Sequence, residues 1–244
     1  QPFDPTEVDF NYTEANSWQY SFYVPQDITG LMDMMGGKEG FSKKLDQLFT
    51  ATDQTSGRHQ VDITGLIGQY AHGNEPSHHM AYLYSYANKP WRTQEMADQI
   101  LKEMYTSHPD GYIGNEDCGQ MSAWYVLSAM GFYPVTPASD IYVIGSPILK
   151  EATIHLENGK QFIIKTKKRS SENKYIQSAK LNGESYSKSY LKHQTILNGG
   201  ELVFVMGSKP NKDWGSQDEN IPVAEINENK ILPAPYSNVK KRSF

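Results

Sequence analysis

The sequence predicts an α+β protein, a run of helical hairpins followed by a small antiparallel β-domain. Two observations carry this. Up to about residue 135, apolar residues recur at helical spacing between proline starts and glycine stops. From about Asp140 the chain turns to short β-branched runs separated by Asn-Gly turns. Composition agrees: 244 residues, 38% hydrophobic and 21% charged, leave room for one large domain or two smaller ones.

The first predicted helix, Pro25 to Met35, opens on proline and stops at Gly36-Gly37. The second, Phe41 to Phe49, has apolar residues at 41, 45, 48 and 49, one helix face. A third is expected over Pro76 to Ala87, with Pro76 at a first helical position. Thr93 to Tyr105 is amphipathic and closes before the turn His108-Pro109-Asp110-Gly111. Asp117 to Met130 ends at Gly131, a C-cap. Helices of this length joined by short loops read as stacked antiparallel hairpins.

Strands are expected at Ile141 to Ile144, Ala152 to Leu156, Gln161 to Lys165 and Glu201 to Met206. Asn158-Gly159 is a hairpin signal between the second and third. The expected division is a helical toroid segment over 1–138, an antiparallel β-domain over 139–208 and a polar tail over 209–244, ordered by docking.

Net charge is −5, with 23 basic and 28 acidic side chains and no basic stripe, so no nucleic-acid partner is expected. No segment approaches the roughly 18 apolar residues of a membrane span. The single cysteine, Cys118, excludes an internal disulfide and cysteine-based zinc sites. Gln1 to Asp4 carries neither a basic nor an apolar leader region, and a start without Met is expected of a piece of something longer. The 16 Tyr and 4 Trp supply flat faces that stack on sugars or fill a core.

Three polar stretches sit where loops meet helices and could line one cavity at the end of a toroid. In Tyr112 to Trp124, the adjacent carboxylates Glu116 and Asp117 suit glycosidic hydrolysis, which needs one carboxyl as acid and one as base. Asp117 with Gln120 also reads as a capping box. In His72 to His79, the oxygens of Asn74 and Glu75 suit a hard cation such as calcium, and His72 with Glu75 can hydrogen-bond sugar hydroxyls. Zinc on His78 and His79 is disfavoured, because adjacent helical residues point about 100° apart. In Asn11 to Tyr20, Glu14 beside Trp18 suits a carboxylic acid held against an aromatic face, and Asn11 with Glu14 also reads as a capping box.

Together, YTEANSWQYSFYVPQD, HGNEPSHHMAYLY and GYIGNEDCGQMSAWYVLSAMGFYPV resemble signature stretches of glycoside hydrolase family 92, in the family's order, and PASDIYVIGSP resembles its approach to the C-terminal β-region. The resemblance runs from Asn11 to about Gly207. It implies calcium-dependent, inverting exo-α-mannosidases, exported by bacteria to the periplasm, cell surface or medium, with a β-sandwich followed by an (α/α)6 toroid. On that basis the chain is expected to be the C-terminal part of an enzyme, completed by an N-terminal β-sandwich domain. Glu14 matches the general acid and Asp117 the general base. His72 and Glu75 would meet the leaving-group sugar in an α-1,2 linkage, Trp18, Asn115 and Glu116 would line the substrate, and Asn74 with Glu75 would ligate calcium. Some members carry Asp where this chain has Asn115, which departs from the pattern. Competing readings are a non-catalytic carbohydrate-binding protein, or another glycosidase or polysaccharide lyase on an α-toroid.

Overall fold

A computed structural model describes residues 3–225. The helical part contains α1 (Ser17–Tyr20), α2 (Ile28–Met34), α3 (Gly37–Thr50), α4 (Pro90–Glu103) and α5 (Gln120–Met130). Asp27 caps α2, its carboxylate accepting from the Gly30 N–H at 2.9 Å. On α3 the stripe Phe41, Leu45, Leu48 and Phe49 is buried, the face its period predicts. Pro90 occupies the first turn of α4, and α5 stops where Gly131 adopts φ +104°.

The segment expected as a helix over Pro76 to Ala87 differs. It is a 3-10 turn, Glu75–Ser77, followed by a 3-10 helix, Met80–Ala87. Every residue of the latter is buried, so no solvent face selects a 3.6-residue period. It forms the centre of the first hydrophobic core, packed against α2, α3 and α4.

Two short ladders brace the loops: β1 (Glu7–Val8) runs parallel to β2 (Ser56–Gly57), and β3 (Leu66–Ile67) antiparallel to β4 (Tyr70–Ala71). After α5 come β5 (Phe132–Tyr133), β6 (Ile141–Ile144), β7 (Glu151–His155), β8 (Gln161–Lys167), β9 (Tyr175–Leu181), β10 (Glu184–Ser185) and β11 (Tyr190–Lys192), then α6 (His193–Leu197) and β12 (Gly200–Gly207). One sheet runs β10-β9-β12-β8-β7, and a second runs β11-β6-β5. The β7–β8 hairpin turns at Asn158-Gly159 as its residues predict. One ladder departs from the antiparallel expectation: β12 pairs parallel to β8 and antiparallel to β9, being reached by a crossover rather than a hairpin. Phe162, Ile164, Leu202 and Phe204 point inward at alternate positions and build a second core with Trp214.

The helical and sheet parts are stitched by α4. Asp98, 1% exposed, pairs with Arg169 from the β8–β9 connection and with Lys102 at 2.7 Å. Gln94 accepts from the Ile176 N–H at 2.8 Å. Of the expected tail, 209–225 docks back: Trp214 and Ile221 are buried, and Thr29 N–H donates to the Ala224 carbonyl at 2.9 Å. The remainder, 226–244, lies outside the described residues. Among the described residues no helix is long and apolar enough to cross a membrane.

Candidate active site

Two glycines bring the carboxylate-bearing loops together. A β-carbon on Gly73 would lie 1.9 Å from Thr64 Oγ1 and 2.8 Å from the Ile113 carbonyl oxygen. One on Gly114, at φ +111°, would lie 3.0 Å from the Gly73 Cα. Only hydrogen fits between these strands of chain, so His72–Glu75 and Asn115–Asp117 are held side by side.

Capping decides which carboxylates are free. Ahead of α1, the box is made by Asn16 and Gln19: Asn16 Oδ1 accepts from the Trp18 N–H at 3.1 Å, and Gln19 Oε1 accepts from the Asn16 N–H at 3.0 Å. The alternative box of Asn11 and Glu14 does not form. Glu14, followed by Ala15 at φ +60°, instead accepts from Asn74 Nδ2 at 2.7 Å.

The same division of labour occurs ahead of α5. Glu116 accepts from the Gly119 N–H at 2.6 Å and the Ser122 N–H at 3.2 Å. Hydrogen bonds from the Ser122 side chain and backbone, and from Gly119, hold its carboxyl below the usual range. Asp117, Cys118 and Gly119 then run left-handed at φ +50°, +56° and +94°. Asp117 contributes only its backbone carbonyl, which accepts from the Gln120 N–H at 3.2 Å. The Asp117–Gln120 box is therefore absent, and the Asp117 side chain stays exposed.

That side chain borders a cleft of about 390 Å³ lined by Tyr23, Glu75, His79, Asp117, Gln120 and Tyr133. Burial raises the Glu75 carboxyl pKa, and a hydrogen bond with Asp117 and the charges of Asp117 and Glu14 push it further. The hydrogen bond ties the Glu75 and Asp117 carboxyls together on the cleft.

The histidines are framework. Burial pushes His78 and His79 down to about 4, so both are neutral at pH 7. His78 Nε2 donates to the His72 carbonyl at 2.8 Å, and His79 Nε2 donates to the Phe22 carbonyl at 2.7 Å. Gln120 Nε2 donates to His78 Nδ1 at 3.0 Å and to the Tyr133 hydroxyl at 3.1 Å, bridging the cleft wall.

Of the residues the sequence singles out, Glu14 and Asn74 form one pair, and Glu75 and Asp117 form another that lies within reach of Glu14's charge. Of these, only Glu75 and Asp117 line the cleft, with Glu14 and Asn74 paired beyond its lining, and four others belong to neither pair. His72 is fully buried, its two ring nitrogens each 2.7 Å from a tyrosine hydroxyl, those of Tyr70 and Tyr105. Trp18 lines a separate groove with Phe3, Met35 and Lys44. Asn115 is exposed and donates to Asp62 Oδ1 at 3.2 Å, and Glu116 is occupied as the cap. Tyr23, Gln120 and Tyr133 were not singled out: the aromatics carry no local pattern, and Gln120 read only as a capping partner.

Among the described residues, no three His, Cys, Asp or Glu side chains converge as a metal cluster. Asn74 Oδ1 is a buried acceptor without a partner, oxygen chemistry that a hard cation takes.

Residues 1–208 match the family described as "Glycosyl hydrolase family 92 catalytic domain". An uncharacterised secreted glycosidase of Arthroderma benhamiae is 31% identical over 212 residues, 86% of this chain and 25% of that protein. The family GH92 alpha-mannosidase BT3965 from Bacteroides thetaiotaomicron, solved with mannoimidazole, superposes with TM-score 0.86 at 42% identity, covering 91% of this chain and 30% of that one. The family GH92 inverting mannosidase BT2199 of the same organism gives 0.80 at 40% identity, covering 91% and 31%. The chain thus spans about a quarter to a third of the length of these relatives.

Proposed function

Since the chain belongs to glycosyl hydrolase family 92, we propose that it forms part of an α-mannosidase that removes terminal α-linked mannose, with an α-1,2 linkage preferred, by an inverting mechanism. The observation that carries this reading is the release of Asp117 from capping by its neighbour Glu116, which leaves a carboxylate free on the cleft. The mannosidase relatives support the substrate class.

In the proposed reaction Glu14, as the carboxylic acid, gives its proton to the glycosidic oxygen as the C1–O bond breaks. Asp117 takes a proton from water, whose oxygen bonds to C1 from the opposite face. Such a pair leaves roughly 6.5–9.5 Å between carboxyl groups for the water. Glu75, hydrogen-bonded to Asp117, orients it and borders the leaving-group sugar. In the domain division proposed here, 1–138 carries these residues, 139–208 supports them, and the pocket is closed by a part of the family fold that the chain does not span. The secreted relative supports an exported location.

Calcium would hold sugar hydroxyls and polarise the ring. Asn74 and Glu75 offer at most two of the six to eight oxygens it takes. The described residues therefore fall short of a calcium shell, and no step runs through the metal. We propose these two as this chain's share of a shell completed elsewhere.

Proton NMR of the first turnover on α-1,2-mannobiose, with the full-length protein, tests the mechanism. Initial release of β-mannose supports it; initial release of α-mannose contradicts it.

A further inference from the structure

Asn74 Nδ2 donates to Glu14 Oε2 at 2.7 Å. It is the one side-chain hydrogen bond the Glu14 carboxyl makes among the described residues. The asparagine cannot swing away. It is 1% exposed, its N–H donates to the Ala71 carbonyl at 3.2 Å, and its carbonyl accepts from the Ser77 N–H at 3.1 Å. Gly73 before it is wedged against Thr64 and Ile113. The other end of the amide, Oδ1, is buried with no partner. A buried acceptor left unsatisfied is destabilising, so the fold keeps this amide in place against its own stability.

Resting on the reading of Glu14 as general acid, we infer that Asn74 is its positioning residue: the amide N–H fixes Oε2 as an acceptor and leaves Oε1 to carry the proton delivered to the leaving oxygen. An amide N–H can only donate, so the oxygen it meets cannot also present a proton toward it. Fixing one oxygen thereby fixes the direction of proton delivery. A role as an oxygen ligand alone would use the opposite end of the amide, which makes the two roles separable.

The test uses the full-length protein in calcium, with two substrates. α-1,2-Mannobiose needs a protonated leaving group; 2,4-dinitrophenyl α-mannoside does not. Asn74→Asp keeps an oxygen at the site but replaces the N–H donor with a charge facing Glu14; Asn74→Ala removes both and serves if the first fails to fold. The expected result is a fall in kcat on mannobiose of about 100-fold, with KM little changed, shrinking below about 10-fold on the dinitrophenyl substrate. Combined with Glu14→Gln, Asn74→Asp should add almost nothing. Full turnover of mannobiose by Asn74→Asp would overturn the inference, leaving an oxygen ligand. An equal loss on both substrates would also overturn it, leaving a structural role. Should Glu14→Gln alone retain mannobiose turnover, the acid assignment fails and the inference with it, which separates the two failures.

Discussion

Gly73 and Gly114 meet back to back, so close that a β-carbon on Gly114 would lie 3.0 Å from the Gly73 Cα. This contact is what sets Glu75 and Asp117 on one cleft, although the two loops lie on opposite sides of the Met80–Ala87 helix and α4 in sequence. Gly73→Ala drives its methyl into Thr64 Oγ1 and the Ile113 carbonyl and must part the loops. The expected loss is at least about 100-fold in kcat/KM on mannobiose, since displacements near 1 Å carry that size of effect. Activity within 3-fold of wild type (roughly 0.7 kcal/mol) would show that the loops are not held by this contact.

Glu116→Ala separates capping from chemistry. Removing the carboxylate that accepts from the Gly119 and Ser122 N–H groups leaves them to solvent, and it also releases the left-handed run that aims Asp117. A lowered melting temperature together with reduced kcat is expected. Lowered stability with kcat untouched would mean that Asp117 keeps its direction without the cap.

The buried histidines set an acid limit on stability. His78 and His79 titrate near 4 when folded against about 6.5 unfolded, so the unfolded chain binds more protons between those values. Stability should therefore fall as pH drops from about 6.5 to 4, by about 3 kcal/mol for each histidine. Glu75, raised when folded, works in the opposite direction at the lower end. His79→Gln should flatten the dependence of unfolding free energy on pH by about one proton; an unchanged slope would remove His79 from this account.

Asp98 anchors α4 to the β8–β9 connection through Arg169; Asp98 is buried and the Arg169 side chain is 9% exposed. Asp98→Ala leaves that guanidinium unpaired and should destabilise by about 3 kcal/mol, read as a shift in denaturant midpoint. A shift worth less than about 1 kcal/mol would place the seam's strength elsewhere, in Gln94 and the apolar contacts.

How much of this was legible follows from what local sequence encodes. Pro and Gly punctuation located α2 and α5, apolar spacing located α3 and α4, and Asn158-Gly159 located the β7–β8 hairpin. Met80–Ala87, buried all round, offered no period to read, and the parallel pairing of β12 depends on a partner 38 residues away, Phe162 facing Gly200. At the site, the acidic loops were visible because carboxylates at helix starts are unusual enough to notice. Which carboxylate caps and which stays free was not visible. Asn16 and Glu116 take the caps through backbone angles at Ala15 and Asp117 that no spacing rule supplies. For His72, burial against Tyr70, Tyr105 and Trp124 decided the outcome, a tertiary fact.

The most direct test of the proposed role of Asp117 is mannose release from α-1,2-mannobiose by the full-length protein, wild type against Asp117→Asn, with melting temperatures taken on the same samples. The expected result is a loss of about 10³-fold or more with the melting temperature unchanged, because the side chain removed caps nothing. A variant that keeps its turnover and melts lower would contradict it, making Asp117 a structural residue and leaving the base to be found elsewhere.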